Sequence, residues 1–267
     1  MSFTLSHQAR EIIAHEYLIK NDLAFECKTK HNSSFRDVSN GINVLFEDGL
    51  TNEQVIEAIL YHDVANLIQN SFWSADAKMA LLYSLAPEKM SFYKEDFRIL
   101  VKPKVNQMVK FNAKSNRLEL IQDIFIKLGI NIKATRALPI QQTMDELVMN
   151  AQINAPKNSR LTYGRDSVLI AEMDEKLIAI TVIDYYGTMD IKKFLKRIEG
   201  CLKLGRAEVI NYGQGGAGLG GSIIYNHCDT IMLGCLGLRK TRVTSVIPYN
   251  IKEDKYDSIQ KSICIIN

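Results

Sequence analysis

The chain has few of the residues that build metal and disulfide frameworks. Its 267 residues include only five cysteines and five histidines. Cys27, Cys201, Cys228, Cys235 and Cys264 are scattered and form no C-x-x-C pair, which argues against a zinc ribbon or a disulfide scaffold and fits a reducing cytoplasm. The histidines do not cluster. His62-Asp63 could contribute to a metal site, but no further ligands stand at suitable spacing, so a satisfied or solvent-facing pair is the better expectation. An excess of one charge is also absent. The 33 basic and 30 acidic residues leave a net charge of +3, with no long basic block, so composition does not support nucleic-acid binding. The N-terminus lacks an apolar signal core, and no run approaches the roughly 18 apolar residues that span a bilayer. These absences predict a cytoplasmic protein without a membrane span. What is present is ordinary for a globular protein: 46% hydrophobic and 24% charged residues, in a length that suits one large domain or two of common size.

Taken in order, residues 4–26 read as a helix, with Ile12, Ile13, Tyr17 and Leu18 near helical spacing, and residues 28–41 as a polar loop. Thr51-x-x-Gln54 is a capping box that opens a second helix, with Val55, Ile59 and the pair Leu67-Ile68 assigned to its apolar face. Ser74–Leu85 reads as another helix, stopped by Pro87. Residues 1–94 are therefore expected to form an all-helical regulatory or interaction region. Phe97–Val101 alternates too little for a half-buried strand and ends before Pro103. A helix is expected from about Ser115 to Leu128, capped by Gly129, and another with Pro139 in its first turn. In that helix Met144, Leu147, Val148 and Ala151 share one face, and Glu146 and Asn150, at i and i+4, sit together opposite it as an exposed carboxylate over an exposed carboxamide. Asparagine is a poor residue in mid-helix, so its presence asks for a reason.

Ser167–Met173 and the almost wholly apolar Leu177–Ile183 predict a hairpin turning at Asp174-Glu175-Lys176, with the second strand central in a sheet and Asp184 where it emerges. A helix through Ile191, Phe194, Leu195 and Ile198 follows, then a stretch in which six of nine residues, Gly213 to Gly221, are glycine. Glycines feeding a helix N-terminus can cradle an anion; a flexible surface loop or a hairpin turn is the simpler alternative. No Gly-Lys-Ser/Thr follows, so it is not a P-loop. A short helix over Ser222–Asn226 and a hairpin of Thr230–Leu233 with Thr241–Ile247 complete the pattern. The element order predicts an α+β fold: a two-layer α/β sandwich with a mixed sheet and helices on one face.

In this order, Glu146-x-x-x-Asn150-Ala151, Asp184-Tyr185-Tyr186-Gly187 and Gly216-Ala217-Gly218-Leu219-Gly220 resemble the N box and the two glycine boxes of the GHKL ATP-binding domain, the Bergerat fold of gyrase, Hsp90, sensor kinases and anti-sigma-type serine kinases. The resemblance covers residues 95–267. It implies that Asn150 helps hold Mg²⁺, that Glu146 orients or deprotonates the attacking hydroxyl or water, and that Asp184 accepts the adenine amino hydrogen. It further implies that Gly187 lets the base lie close to the backbone. Gly216, Gly218, Leu219 and Gly220 would belong to a lid over the phosphates, and Thr241 or Thr244 would contact adenine. ATP and Mg²⁺ are the implied cofactors. The first glycine box departs from its usual D-x-G-x-G, with Gly187 at +3 and Met189 at a later small position. His15-Glu16 resembles a sensor-kinase phosphoacceptor but lacks its usual continuation, and an ordinary exposed histidine is the expectation there.

The nearest branch is the anti-sigma-type Ser/Thr kinases, which implies a regulatory protein partner such as a sigma factor or an anti-sigma antagonist, and leaves room for a homodimer. The alternative is a non-catalytic GHKL-fold module that sequesters or switches a regulatory partner. An ATPase that moves two domains is a third option.

Overall fold

The computed structural model of the chain describes residues 35–37, 44–62, 64–85, 88–131, 136–157, 165–204, 219–256 and 258–266. In chain order these form β1 (Phe35–Asp37), β2 (Val44–Phe46), α1 (Asn52–Tyr61), β3 (Asn66–Ile68), α2 (Ala75–Leu85), a 3₁₀ turn (Lys89–Tyr93), β4 (Val105–Phe111), α3 (Arg117–Leu128) and α4 (Ala137–Met149). A π turn (Asn150–Asn154) and a helical turn (Ala155–Lys157) continue α4. Then come β5 (Ser167–Met173), β6 (Leu177–Asp184), α5 (Ile191–Leu204), α6 (Gly220–His227), β7 (Thr230–Leu236), β8 (Lys240–Pro248), a 3₁₀ turn (Glu253–Lys255) and β9 (Ser262–Ile265). The fold is α+β. The strands form one mixed sheet of nine in the order β1-β2-β3-β9-β7-β8-β6-β5-β4, parallel at β2–β3 and β7–β9 and antiparallel elsewhere. Among the described residues no helix is long and apolar enough to cross a membrane.

Local chemistry sets most of these boundaries. The Thr51 hydroxyl accepts from Gln54 N–H and the Gln54 side chain accepts from Thr51 N–H, so the capping box forms. Asn116 caps α3 through its side-chain oxygen, and Gly129 closes that helix in the left-handed conformation at φ 67°. Asp174 Oδ1 accepts from the N–H groups of Lys176 and Leu177 and holds the β5–β6 turn. Strand β6 is buried at every position, flanked by β5 and β8, as a nearly all-apolar central strand requires.

The expectation of an all-helical region before residue 95 does not hold. Helix α1 ends at Tyr61, where the N–H of His62 bonds back to Ala58, and Leu67-Ile68 lies instead in β3. A short apolar run fits helix or strand equally by pattern, and here the decision comes from β9, nearly 200 residues later in the chain, with Leu67 opposite Ile263. The sheet thus runs across the boundary expected near residue 95. Three further strands had no sequence assignment, β2, β4 and β9, and β1 falls in the stretch expected to be loop over 28–41. Phe97–Val101 is not a strand: the N–H groups of Ile99 and Leu100 donate to the buried Glu172 carboxylate rather than to a ladder. The helix expected over residues 4–26, His15-Glu16, most of the loop expected over 28–41, Asp63 and Pro87 lie outside the described residues.

Two cores share the sheet. On one face α1, α3, α4, α5 and α6 pack against Leu169, Ala171, Ile178, Ile180, Val182, Ile231 and Leu233. The opposite face, at β2, β3, β9, β7 and β8, is covered by α2, Phe92, Tyr93, Ile99 and Leu100, which meet Val44, Ile68, Met232, Val246 and Cys264. Apart from Ile99 and Leu100, this second cover comes from the region expected to stand apart, residues 1–94, and its polar anchors are fully buried. Lys78 of α2 sits 2.7 Å from Asp229 Oδ1 and donates to Gln69 O and Ser262 Oγ, while Asp229 Oδ2 accepts from Trp73 N–H.

Candidate nucleotide site

Helix α4 presents its buried stripe to the sheet as the periodicity predicts: Met144, Leu147, Val148 and Ala151 are all buried. Glu146 and Asn150 share the other face, but neither is freely exposed. Glu146 is half-buried against α6. A Cβ built on Gly220 would collide with Glu146 Oε2, so the carboxylate lies directly on the first residue of α6 and would have to swing away from any larger residue there. Glu146 Oε2 has no hydrogen-bond partner among the described residues. Burial pushes its pKa up, the neighbouring Asp145 adds to the rise, and Arg117 opposes it. Arg117 is itself bonded to Asp145.

Asn150 stands where the α-helical ladder widens. The N–H of Ala155 reaches Asn150 O, an i to i+5 bond, so the π turn begins at the asparagine itself. Such turns are rare and concentrate at functional positions. Asn150 Oδ1 accepts from Asn154 Nδ2 at 2.6 Å. A hard cation would take that amide oxygen as a ligand once Asn154 released it. The segment after β6 is tied to the end of this helix by Thr188 Oγ1, which donates to Ala155 O.

Asp184 ends β6 and is almost completely buried. Its Oδ1 accepts from Tyr186 N–H (2.9 Å) and Gly187 N–H (3.2 Å), a side-chain turn that directs the chain away from the sheet. Burial raises its pKa against the pull of those two N–H groups and of the Thr241 hydroxyl. Gly187 has φ 60°, and a Cβ there would lie 2.5 Å from Arg239 N and 2.8 Å from Leu236 O. Its need for glycine is thus met by the β7–β8 turn, whose Leu238 N–H donates to Gly187 O at 3.0 Å.

Register separates the two candidate threonines. Thr241 pairs with Asp184 across the ladder and faces the helical layer with it. Its buried Oγ1 has no hydrogen-bond partner among the described residues, close to the carboxyl but outside bonding geometry. Thr244 pairs with Thr181 on the opposite face, where the two hydroxyls bond at 2.8 Å. The structure therefore groups Glu146, Asn150, Asp184, Thr241 and Gly220 on the helical side of the sheet and leaves Thr244 behind it. Leu219 precedes α6 without a side-chain cap, and Ser222 Oγ donates to its carbonyl. Gly221 lies against Phe194, where a Cβ would be 2.9 Å from the ring. Gly216 and Gly218 lie outside the described residues.

Two neighbours went unnoticed in the sequence. Asn154 is visible only once the π turn brings it back to Asn150. Cys235 pairs with Thr241, a placement that follows from the turn over residues 237–239 and was available to strand counting. Comparisons with protein-family models, with curated proteins and with solved structures give no match to this chain.

Proposed function

We propose that the chain binds ATP with Mg²⁺ where α4, the end of β6, the start of β8 and the first turn of α6 meet, and that it acts as a Ser/Thr protein kinase on a regulatory protein partner. The observation that carries this reading is that Glu146 Oε2 and Thr241 Oγ1, two of the buried atoms without a hydrogen-bond partner among the described residues, stand on either side of that junction. Natural proteins rarely leave such atoms unpaired, and those that remain tend to mark places where a ligand or water belongs. The remaining residues fit the same ligand. Asp184, with its remaining acceptor capacity, suits an exocyclic amino group. The Asn150 amide oxygen suits a hard cation, which when bound supplies positive charge to phosphate oxygens. Glu146, with a raised pKa in a partly dry position, is suited to take a proton from a hydroxyl at Oε2. Gly220 keeps the carboxylate seated against α6, where an anion would also find free N–H groups.

One observation favours the non-catalytic alternative. Asn150 Oδ1 is already engaged by Asn154 and Asp184 Oδ1 by its own turn, so the site could be held shut as a scaffold for partner binding. Calorimetric titration of ATP with and without Mg²⁺ separates the two. Magnesium-dependent binding, lost in Asn150→Ala without change of unfolding midpoint, supports the nucleotide site; equal binding in that variant removes Asn150 from it. Asp184→Asn should weaken ATP more than GTP, and equal losses count against a base-reading carboxylate. Transfer of labelled phosphate to protein, rather than to water alone, then decides between kinase and ATPase.

A further inference from the structure

Asp184, Thr241 and Cys235 stand in one row. Asp184 pairs with Thr241 and Thr241 with Cys235 across β6, β8 and β7, so all three project from the same face of the sheet. Two cross-strand steps of about 5 Å each separate the ends of the row. The first two residues are 7% and 3% exposed, whereas Cys235 is half-buried; Cys201, Cys228 and Cys264 are buried. The middle residue is the one whose hydroxyl makes no well-formed hydrogen bond among the described residues, so the row has a carboxyl at one end, that hydroxyl at its centre and a half-buried cysteine at the other. Burial raises the Cys235 thiol pKa, with Asp184 and Asp190 adding to the rise and Thr241 and the Met189 backbone opposing it. A neutral thiol of this kind is a poor nucleophile and a good polarizable wall.

We propose that Cys235 is a ligand-contacting residue of this site: a planar heteroaromatic base lies along the row, its polar edge on Asp184 and Thr241 and its ring against Cys235 Sγ. The inference rests on the nucleotide reading above and adds a consequence to it. A group attached to Sγ occupies the place of the base, so thiol modification and nucleotide binding exclude each other.

The test uses the full chain and N-ethylmaleimide at pH 8, with and without Mg-ATP, and calorimetry on the same sample. The reagent adds to the thiol: an S–C bond forms as the alkene π bond opens, and the thiol proton ends on the adjacent carbon. Peptide mapping locates the label. Cys235 should react in the free protein, and its rate should fall about 100-fold at a nucleotide concentration 100 times the dissociation constant. Protein labelled at Cys235 should lose nucleotide binding in proportion to the fraction of that residue carrying the label. A Cys235 that reacts no faster in the free protein than the buried Cys228 and Cys264 overturns the inference. So does an unchanged labelling rate while calorimetry records ATP binding, and that result leaves the nucleotide reading intact. Absence of ATP binding in calorimetry removes that reading and the inference with it.

Discussion

Thr241 and Arg242 are neighbours on β8, point to opposite faces of the sheet, and are both buried, yet they are treated in opposite ways. Arg242 donates to three backbone carbonyls, Phe92 O (2.6 Å), Lys94 O (2.9 Å) and Phe97 O (3.1 Å), and its guanidinium lies over the Phe92 and Phe97 rings. Burial drags its pKa down to about 10, with Glu172 opposing. The Thr241 hydroxyl lies close enough to the Asp184 carboxyl and the Cys235 thiol to oppose the rise of their pKa values, but it makes no well-formed hydrogen bond among the described residues. On the back face polar groups are buried to fasten the 92–100 segment to the sheet. On the front they are buried and left open. Arg242 Nε also lacks a partner among the described residues, but the other two nitrogens of that guanidinium hold the segment, whereas the hydroxyl is the one polar atom the Thr241 side chain has.

The comparison can be broken from the clamped side first. Asp229→Ala leaves the Lys78 ammonium buried and uncompensated, and should cost about 3–5 kcal/mol in urea unfolding. A loss below 1 kcal/mol would mean that water reaches the ammonium. Arg242→Met strands three carbonyls while keeping much of the packing, and should cost about 2–3 kcal/mol. It should also release the 92–97 segment to faster amide exchange. Gly187→Ala places a Cβ against the β7–β8 turn at a left-handed φ and should cost about 1–3 kcal/mol by thermal unfolding.

The open side predicts the reverse pattern. Thr241→Val removes an unpaired hydroxyl, so stability should hold within about 0.5 kcal/mol or rise, while ATP affinity falls about tenfold, as expected for one lost ligand hydrogen bond. A clear loss of stability would show that the hydroxyl is satisfied in solution. Glu146→Gln gives the smallest effect, and it depends on pH. Burial raises the folded-state pKa of Glu146 above its ordinary 4.5, so its contribution is fully present below that value and is lost as pH rises through the raised one. The glutamine variant should therefore match the native chain in acid and exceed its stability progressively above pH 4.5, with phosphotransfer reduced throughout.

Much of the fold was legible where local chemistry decides it. The capping box at Thr51, the Gly129 terminus of α3, the buried stripe of α4, the β5–β6 hairpin and the turn before β8 each depend on residues a few positions apart. Asp184 at the end of a wholly buried strand and Glu146 one turn before Asn150 were legible for the same reason. Leu67-Ile68 was not, because an apolar pair becomes strand or helix according to a partner far along the chain. Strand β4 was hidden by Asn106, Gln107 and Lys110 on an edge, where alternation is weak. Strand β9 is only four residues long and takes its identity from lying between β3 and β7.

The sequence by itself determined which segments coil, which extend and where most of them stop, because hydrogen bonds within a helix or a tight turn close over a few residues. It also placed an acid one turn from an amide, and an acid at a strand end. Only the tertiary structure decided that Thr241 rather than Thr244 stands beside Asp184, that Cys235 completes the row, that Glu146 rests on Gly220, and that the N-terminal strands belong to the same sheet. Those depend on register and on contacts between distant residues, where a shift of one position turns every side chain to the other face.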